Sequence, residues 1–404
     1  MKSQAFSLLI FKFLFFLVTF FSPLNLFAYL EAGDILTIGD TRYRINSIVG
    51  RGASKPVFHA TMLDCTKNCE RAIGTPYPPA PSTVDKYKEL NLPLNDRLNE
   101  SSSLNLRKEI PLVRARVNNL PGETYVTVME YAAGSFDKAS TKLLPSSILT
   151  LYKDGIKGAE AMQAIGLVNT DIKPENLLVM GPEITDNAIA RGHSWGVIGD
   201  SDALVQIEKT VSSKIMTPLF SPPEYFRTGI RIDNSSSLWQ LAASNYTTLT
   251  GELAYSPEEL AYFQKMNSPE AVIREGVANA HKRMLKRIAD KLDSMIEIQK
   301  TKGAFSEVDR LQELKILFAN HLQLNSSERL FWPAGVNPQN RAIIAPESRL
   351  AIAEHDTVRS FRQIKQDEVS KILGRDGKIK RPAASCSIID EVVAAEGALG
   401  NVSP

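Results

Sequence analysis

Apolar residues in the first third of the chain alternate with polar ones at a spacing of two, in runs closed by Gly, Pro or Asn. Between Asp34 and Ala133, "YRINSIVG", "PVFHATML", "PLVRARV" and "TYVTVMEYA" all read this way. Such alternation sets one face of a strand against a core, so a β-rich unit is expected. Between the second and third runs, "STVDKYKELNLPLNDRLNESSSLNLRKE" carries leucines at helical intervals interrupted by Pro93. It predicts one helix, entered through an irregular insertion. Further on the period becomes helical: from about Leu143 to Ala164, in "SLWQLAASNYTTLTG" ending at Gly251, and in a charged stretch from Pro269 to Leu324. The expected class is α+β with two lobes, a small β-rich one over about 34–130 and a mainly helical one over about 134–335. Clefts between lobes are where nucleotides bind. Residues 336–404 read as a helical extension followed by a mobile tail.

The chain of 404 residues is long for one domain, and its 43% hydrophobic content supports a full core. The formal charge is +2, from 47 basic and 45 acidic residues without a long basic block, so nucleic acid is not an expected partner. Residues 1–28 have a lysine near the start, an apolar run from Phe13 to Phe21 and a small residue, Ala28, at a cleavable position. That is the layout of a secretory signal peptide. The run is shorter than the about 20 residues of a membrane span, and a membrane role arises only if the segment persists as an anchor. Three cysteines make no disulfide framework. Cys65 and Cys69 can pair across a turn in an oxidising compartment, leaving Cys386 single, or all can remain free thiols. No metal-ligand spacing involves Cys or His.

Candidate chemistry gathers in "TDIKPENLLV", which sets Asp171, Lys173 and Asn176 between two apolar runs. Phosphoryl transfer needs a carboxylate near the attacking hydroxyl, a lysine for the transferring oxygens and a metal ligand. These three residues could supply them. Downstream, "WGVIGDSDALV" ends a strand-like run at Asp200, an acceptor suited to Mg2+. Upstream, Gly50 and Gly52 lie between two strand patterns, where missing side chains let backbone N–H groups approach phosphates. Taken singly, each motif fits a plain turn.

Their order changes that weighing, because over roughly residues 40 to 335 the chain resembles the eukaryotic-type protein kinases. "TDIKPENLLV" is similar to that family's catalytic loop and "GDSD" to its metal-binding motif. "SPPEY" resembles the end of its activation segment, "VMEYA" its hinge, where Glu130 would meet the nucleotide, and "LWQLA" its large-lobe central helix. The resemblance implies serine/threonine rather than tyrosine specificity from Lys173, a substrate-facing Thr217, and a pairing of Arg329 with Glu224.

Several positions depart from the family. Gly74, in "ERAIG", stands where the phosphate-binding lysine is expected, while the glycine loop reads "GRGASKPVF" with Lys55 at its third glycine position. The with-no-lysine kinases share this arrangement, which implies that Lys55 does the missing residue's work; it also fits a solvated loop lysine. Its carboxylate partner is expected from Glu100, with Glu109 as the other candidate. Asn169 and Thr170 replace His-Arg, Ser237 replaces a bracing aspartate, and Ser201 and Asp202 replace Phe-Gly. Without the arginine, activity would not depend on activation-segment phosphorylation. An extra stretch, "GPEITDNAIARGHSW", reads as a surface hairpin.

The resemblance implies an ATP- and Mg2+-dependent serine/threonine protein kinase acting on a protein substrate. Its competitors are a partner-binding pseudokinase and a nucleotidyl or small-molecule transferase on the same scaffold. An exported kinase implies a destination that holds ATP: a host cell, for a secreted bacterial effector, or the lumen of a secretory organelle. Asn-x-Ser/Thr triplets at Asn99, Asn234, Asn245, Asn325 and Asn401 do not decide the compartment.

Overall fold

In the computed structural model, six short strands close into an antiparallel barrel. They are β1 (Ile35–Ile38), β2 (Thr41–Arg51), β3 (Pro56–Met62), β4 (Glu70–Gly74), β5 (Glu109–Val117) and β6 (Glu123–Glu130). The order is β1-β2-β3-β4-β6-β5, and Leu36 opposite Val117 joins the first strand to the last. Closure removes the edges an open sheet would expose. The alternation seen in sequence turns inward: Tyr43 and Ile45, Phe58 and Ala60, Val113 and Ala115, Val126 and Val128 are all buried. Full burial of a valine, isoleucine or phenylalanine among them stabilises the barrel by about 1.5–3 kcal/mol, and of an alanine by less.

The structure describes residues 30–51, 56–66, 69–74, 92–118, 123–139, 143–207, 216–226, 232–266, 270–339 and 343–344. The chain divides into two units, Met1–Ile352 and Ala353–Pro404, and every described residue belongs to the first. The signal segment, most of the insertion before the first helix, and the tail therefore lie outside the described residues.

Helix α1 (Leu92–Glu100) contains Pro93 rather than being broken by it. In a first turn the backbone N–H has no helical partner, so proline is tolerated there. After α2 (Phe136–Ala139), the long α3 (Pro145–Ala164) runs through the larger core. A Cβ at Gly158 of α3 would lie 2.8 Å from the Asn105 carbonyl, and glycine permits that approach to the segment leading into β5.

Two small antiparallel sheets follow. β8 (Leu167–Asn169) pairs with β11 (Leu204–Gln206), and β9 (Leu177–Met180) lies between β7 (Gly134–Ser135) and β10 (Trp195–Ile198). The stretch between β9 and β10 is not the surface hairpin expected. It folds α4 (Asp186–Ala190), puts Ile189 into the larger core and buries Trp195, whose indole N–H donates to the Leu104 carbonyl at 2.9 Å. Apolar side chains in that stretch drive it inward.

Helix α5 (Ser235–Thr250) ends at Gly251, whose φ of 73° is the left-handed cap that glycine supplies. After α6 (Pro257–Phe263), the charged stretch forms two helices, α7 (Ala271–Thr301) and α8 (Phe305–His321), separated at Gly303. Trp239, Tyr246, Tyr255, Phe263 and Phe318 fill the core among them. Packing continues past residue 335: Val336 joins this core, Ile343 packs against the cluster of Met180, Trp195 and Val197, and the Ile344 N–H donates to the Gly192 carbonyl at 2.8 Å.

Candidate functional site

Asp171 follows β8, where the chain leaves a strand and turns, and is buried. Two neighbours grip its carboxylate. The Lys173 ammonium donates to Oδ2 at 2.7 Å, and the Thr217 hydroxyl donates to Oδ1 at 2.7 Å. Lys173 also lies 3.1 Å from the Thr217 oxygen, so the three side chains form a closed triangle. An ammonium donor makes this hydrogen bond charge-assisted and so stronger than a neutral one.

Asn176 turns back over this loop. Its side-chain nitrogen donates to the Asp171 carbonyl at 2.9 Å, which leaves the amide oxygen as the end available for coordination. The Gly199 N–H donates to the Asn176 carbonyl at 2.9 Å, bringing the end of β10 alongside. Asp200 comes next, with φ 59° and ψ 86°, and is the one non-glycine residue at positive φ among those described. A non-glycine residue there carries strain of about 1–2 kcal/mol, a feature that clusters at functional sites. Its Oδ1 accepts the Asp202 N–H at 3.3 Å as the chain enters a short 3-10 turn, Ser201–Ala203.

Three side chains that sequence reasoning passed over hold these parts. Asn169, counted there as a lost histidine, accepts the Asp171 N–H on Oδ1 at 2.8 Å and donates from Nδ2 to the Asp200 carbonyl at 2.9 Å. Gln240, on α5 one turn beyond Ser237, donates to the Thr170 carbonyl at 2.7 Å in a buried setting. Arg107 is buried, and its Nε donates to the Glu130 carbonyl at 2.9 Å. Burial pushes the Arg107 guanidinium's pKa down, while Glu109, Glu130 and Asp200 oppose that shift. The signal for Gln240 was its place three residues after Ser237, on the same helix face. For Arg107 there was no local signal.

Glu109 and Arg107 line a cavity of about 10 Å³ together with Asn169, Asp200 and Ser201. That is room for roughly one water molecule, so this space behind Asp200 is not where a nucleotide sits. Glu100 does not line it; it is the exposed last residue of α1, whereas Glu109 is buried and begins β5. Glu130 ends β6, with its N–H donating to the Lys108 carbonyl and its carboxylate accepting the Lys108 N–H at 2.9 Å. Gly50 lies near the end of β2 opposite Val57, where a Cβ would meet no described residue within 4 Å. Crowding by the described residues does not explain this glycine. Gly52 and Lys55 lie outside the described residues, and Gly74 ends β4 opposite Thr127.

No family model matches the chain. Over 131 residues it is 29% identical to a protein from Saccharomyces cerevisiae, serine/threonine-protein kinase TOS3, in strains YJM789 and ATCC 204508 / S288c. The match spans 30% of this chain and 23% of the yeast protein's length. It is a weak, partial similarity to a serine/threonine kinase and hints at a kinase-like relationship.

Proposed function

We propose that the chain is an ATP- and Mg2+-dependent serine/threonine protein kinase on a two-lobed, protein-kinase-like fold. The observation that carries this reading is the Asp171 carboxylate held by Lys173 and Thr217, with the strained Asp200 tied to the same loop through Asn169. Asp171 would accept the substrate hydroxyl and aim its oxygen at the γ-phosphorus, with Lys173 placing positive charge beside the transferring oxygens. The Asp200 carboxylate and the Asn176 amide oxygen are the hard donors that Mg2+ takes. Bound there, the metal would neutralise phosphate charge. Lys55 would reach the phosphates from the glycine loop, where Gly50, having no side chain, would let backbone N–H groups approach them. Of its two candidate carboxylate partners, Glu109 shares a cavity with Asp200 and Glu100 does not.

Export to an oxidising compartment, including delivery of a bacterial effector to a host cell, belongs to the same proposal. The Cys65–Cys69 disulfide supports it. Among the described residues no helix is long and apolar enough to cross a membrane. Full-length, uncleaved chain in the producing cell's cytosol would overturn the export part.

A second reading, a partner-binding pseudokinase, is favoured by one observation: β4 ends in Gly74, without the expected cation. Transfer of label from γ-labelled ATP by protein starting at Tyr29 decides between them, run beside Asp171→Ala, Asp200→Ala and Lys55→Met. Transfer lost in all three variants supports the kinase with a relocated lysine. Activity retained by Lys55→Met alone removes only that lysine's role. Nucleotide binding without transfer favours the pseudokinase, and label from α-labelled ATP favours nucleotidyl transfer.

A further inference from the structure

We propose that Asn169 is a positioning residue that locks Asp200 to Asp171, so that the metal-side and hydroxyl-side aspartates are held as one unit; this rests on the phosphotransfer reading above. Asn169 is the last residue of β8 and is 1% exposed. Its two amide ends do different work. Oδ1 accepts the Asp171 N–H at 2.8 Å, while Nδ2 donates to the Asp200 carbonyl at 2.9 Å and to the Gly199 carbonyl at 3.3 Å. One planar group thus spans the backbones of both aspartates. The Asp200 bond also falls on the described non-glycine residue at positive φ, a conformation that persists only where the surroundings over-determine it.

The chemistry of the bridge restricts what can replace it. An acceptor must face Asp171 and a donor must face Asp200, at the two ends of one short side chain. Aspartate has the shape but no donor when ionised, and would bring a buried charge. Leucine has nearly the shape and neither polar end. Gln240 provides the internal comparison, because its amide reaches the Thr170 carbonyl and has no bond to Asp200. Asn169 therefore touches both halves of the site, and Gln240 only the hydroxyl half.

The test compares wild type, Asn169→Leu and Gln240→Met for kcat, the ATP KM, thermal midpoint, and Mn2+ binding in the presence of ATP by electron paramagnetic resonance. Supporting shells of metal sites typically change affinity or activity by about 10–100-fold when removed. Asn169→Leu is expected to lower kcat by about 100-fold and weaken Mn2+ binding by about 10-fold, with the ATP KM little changed. Gln240→Met is expected to lower kcat while leaving Mn2+ binding as in wild type. Unchanged Mn2+ binding by Asn169→Leu, with activity and thermal midpoint falling together, overturns the proposal, because Asn169 would then be merely structural. If the leucine variant does not fold, Asn169→His, which keeps one donor and one acceptor when neutral, takes its place. Weakened Mn2+ affinity in a folded Asn169→Ser, whose side chain is too short to span both backbones, supports the bridge whether or not Asn169→His keeps wild-type affinity, and wild-type affinity in Asn169→Ser overturns it. A wild type that transfers no phosphate removes the kinase reading alone, since the Mn2+ titration still decides the coupling. A wild type that binds no Mn2+ with ATP overturns both.

Discussion

Arg329 and Glu224, 105 residues apart, meet through two parallel hydrogen bonds of 2.5 and 2.9 Å, with the guanidinium 5.0 Å from the Trp239 ring centroid. The Arg329 side chain has no exposed surface, and its Nε donates to the Gln323 carbonyl at 2.8 Å. Sequence reading expected this pair. It fastens the segment carrying Thr217 to the far end of the helical core. Removing one partner of a buried pair leaves an uncompensated charge, so Glu224→Gln and Arg329→Met should each lose about 3–5 kcal/mol. Urea unfolding measures this, and a loss below about 1 kcal/mol would show a pair no stronger than a surface one.

Thr217 donates to Asp171 and accepts from Lys173. If the phosphotransfer reading holds, Thr217→Val should lower kcat by about 10–100-fold, and Thr217→Ser should keep most of the rate. Equal loss in both variants would mean that the methyl packing matters rather than the hydroxyl.

Burial pushes the His321 imidazole down to about 4. Its Nε2 lies 2.8 Å from the Leu330 carbonyl, which can only accept, so Nε2 carries the proton and Nδ1 accepts the Tyr152 hydroxyl at 2.8 Å. The folded value lies below the unfolded one of about 6.5, so the unfolded chain takes up the extra proton. This contribution to stability is complete above about pH 6.5 and falls by about 3 kcal/mol as pH drops towards 4. His281 is lowered by burial too. Thermal midpoints across that range should therefore slope less in His321→Phe than in wild type, and identical slopes would remove His321 as a cause.

Cys65 and Cys69 form a disulfide across a Cα separation of 5.5 Å. Closing so short a loop stabilises by about 2 kcal/mol. With three cysteines in the chain, alkylation without reductant should label one thiol in protein exported to an oxidising compartment and three after reduction. Three reactive thiols before reduction would show that the bridge does not form there.

Much of the barrel was legible because strand alternation is a local property. Tyr43 and Ile45, or Val126 and Val128, announce an inward face whatever they later touch. Asp171, Lys173 and Asn176 were legible for a similar reason: a single loop carries all three. The insertion before Trp195 was misread, because its polar beginning outweighed the few apolar residues that bury it. Pro93 misled because a proline's effect depends on its place within the helix.

By itself, the order of residues determined the inward face of each strand, the main helical stretches and the three-residue chemistry of the Asp171 loop, since each rests on spacing within a short segment. Tertiary structure alone decided what braces that loop. Gln240 reaches Thr170 across 70 positions, and Asn169 joins Asp171 to a carbonyl 31 positions away. Arg107 lines one small cavity with Asp200, far along the chain. Hydrogen bonds and buried charges act over a few ångströms of space, and only the packing of α5 and β10 against the loop brings those partners within that range.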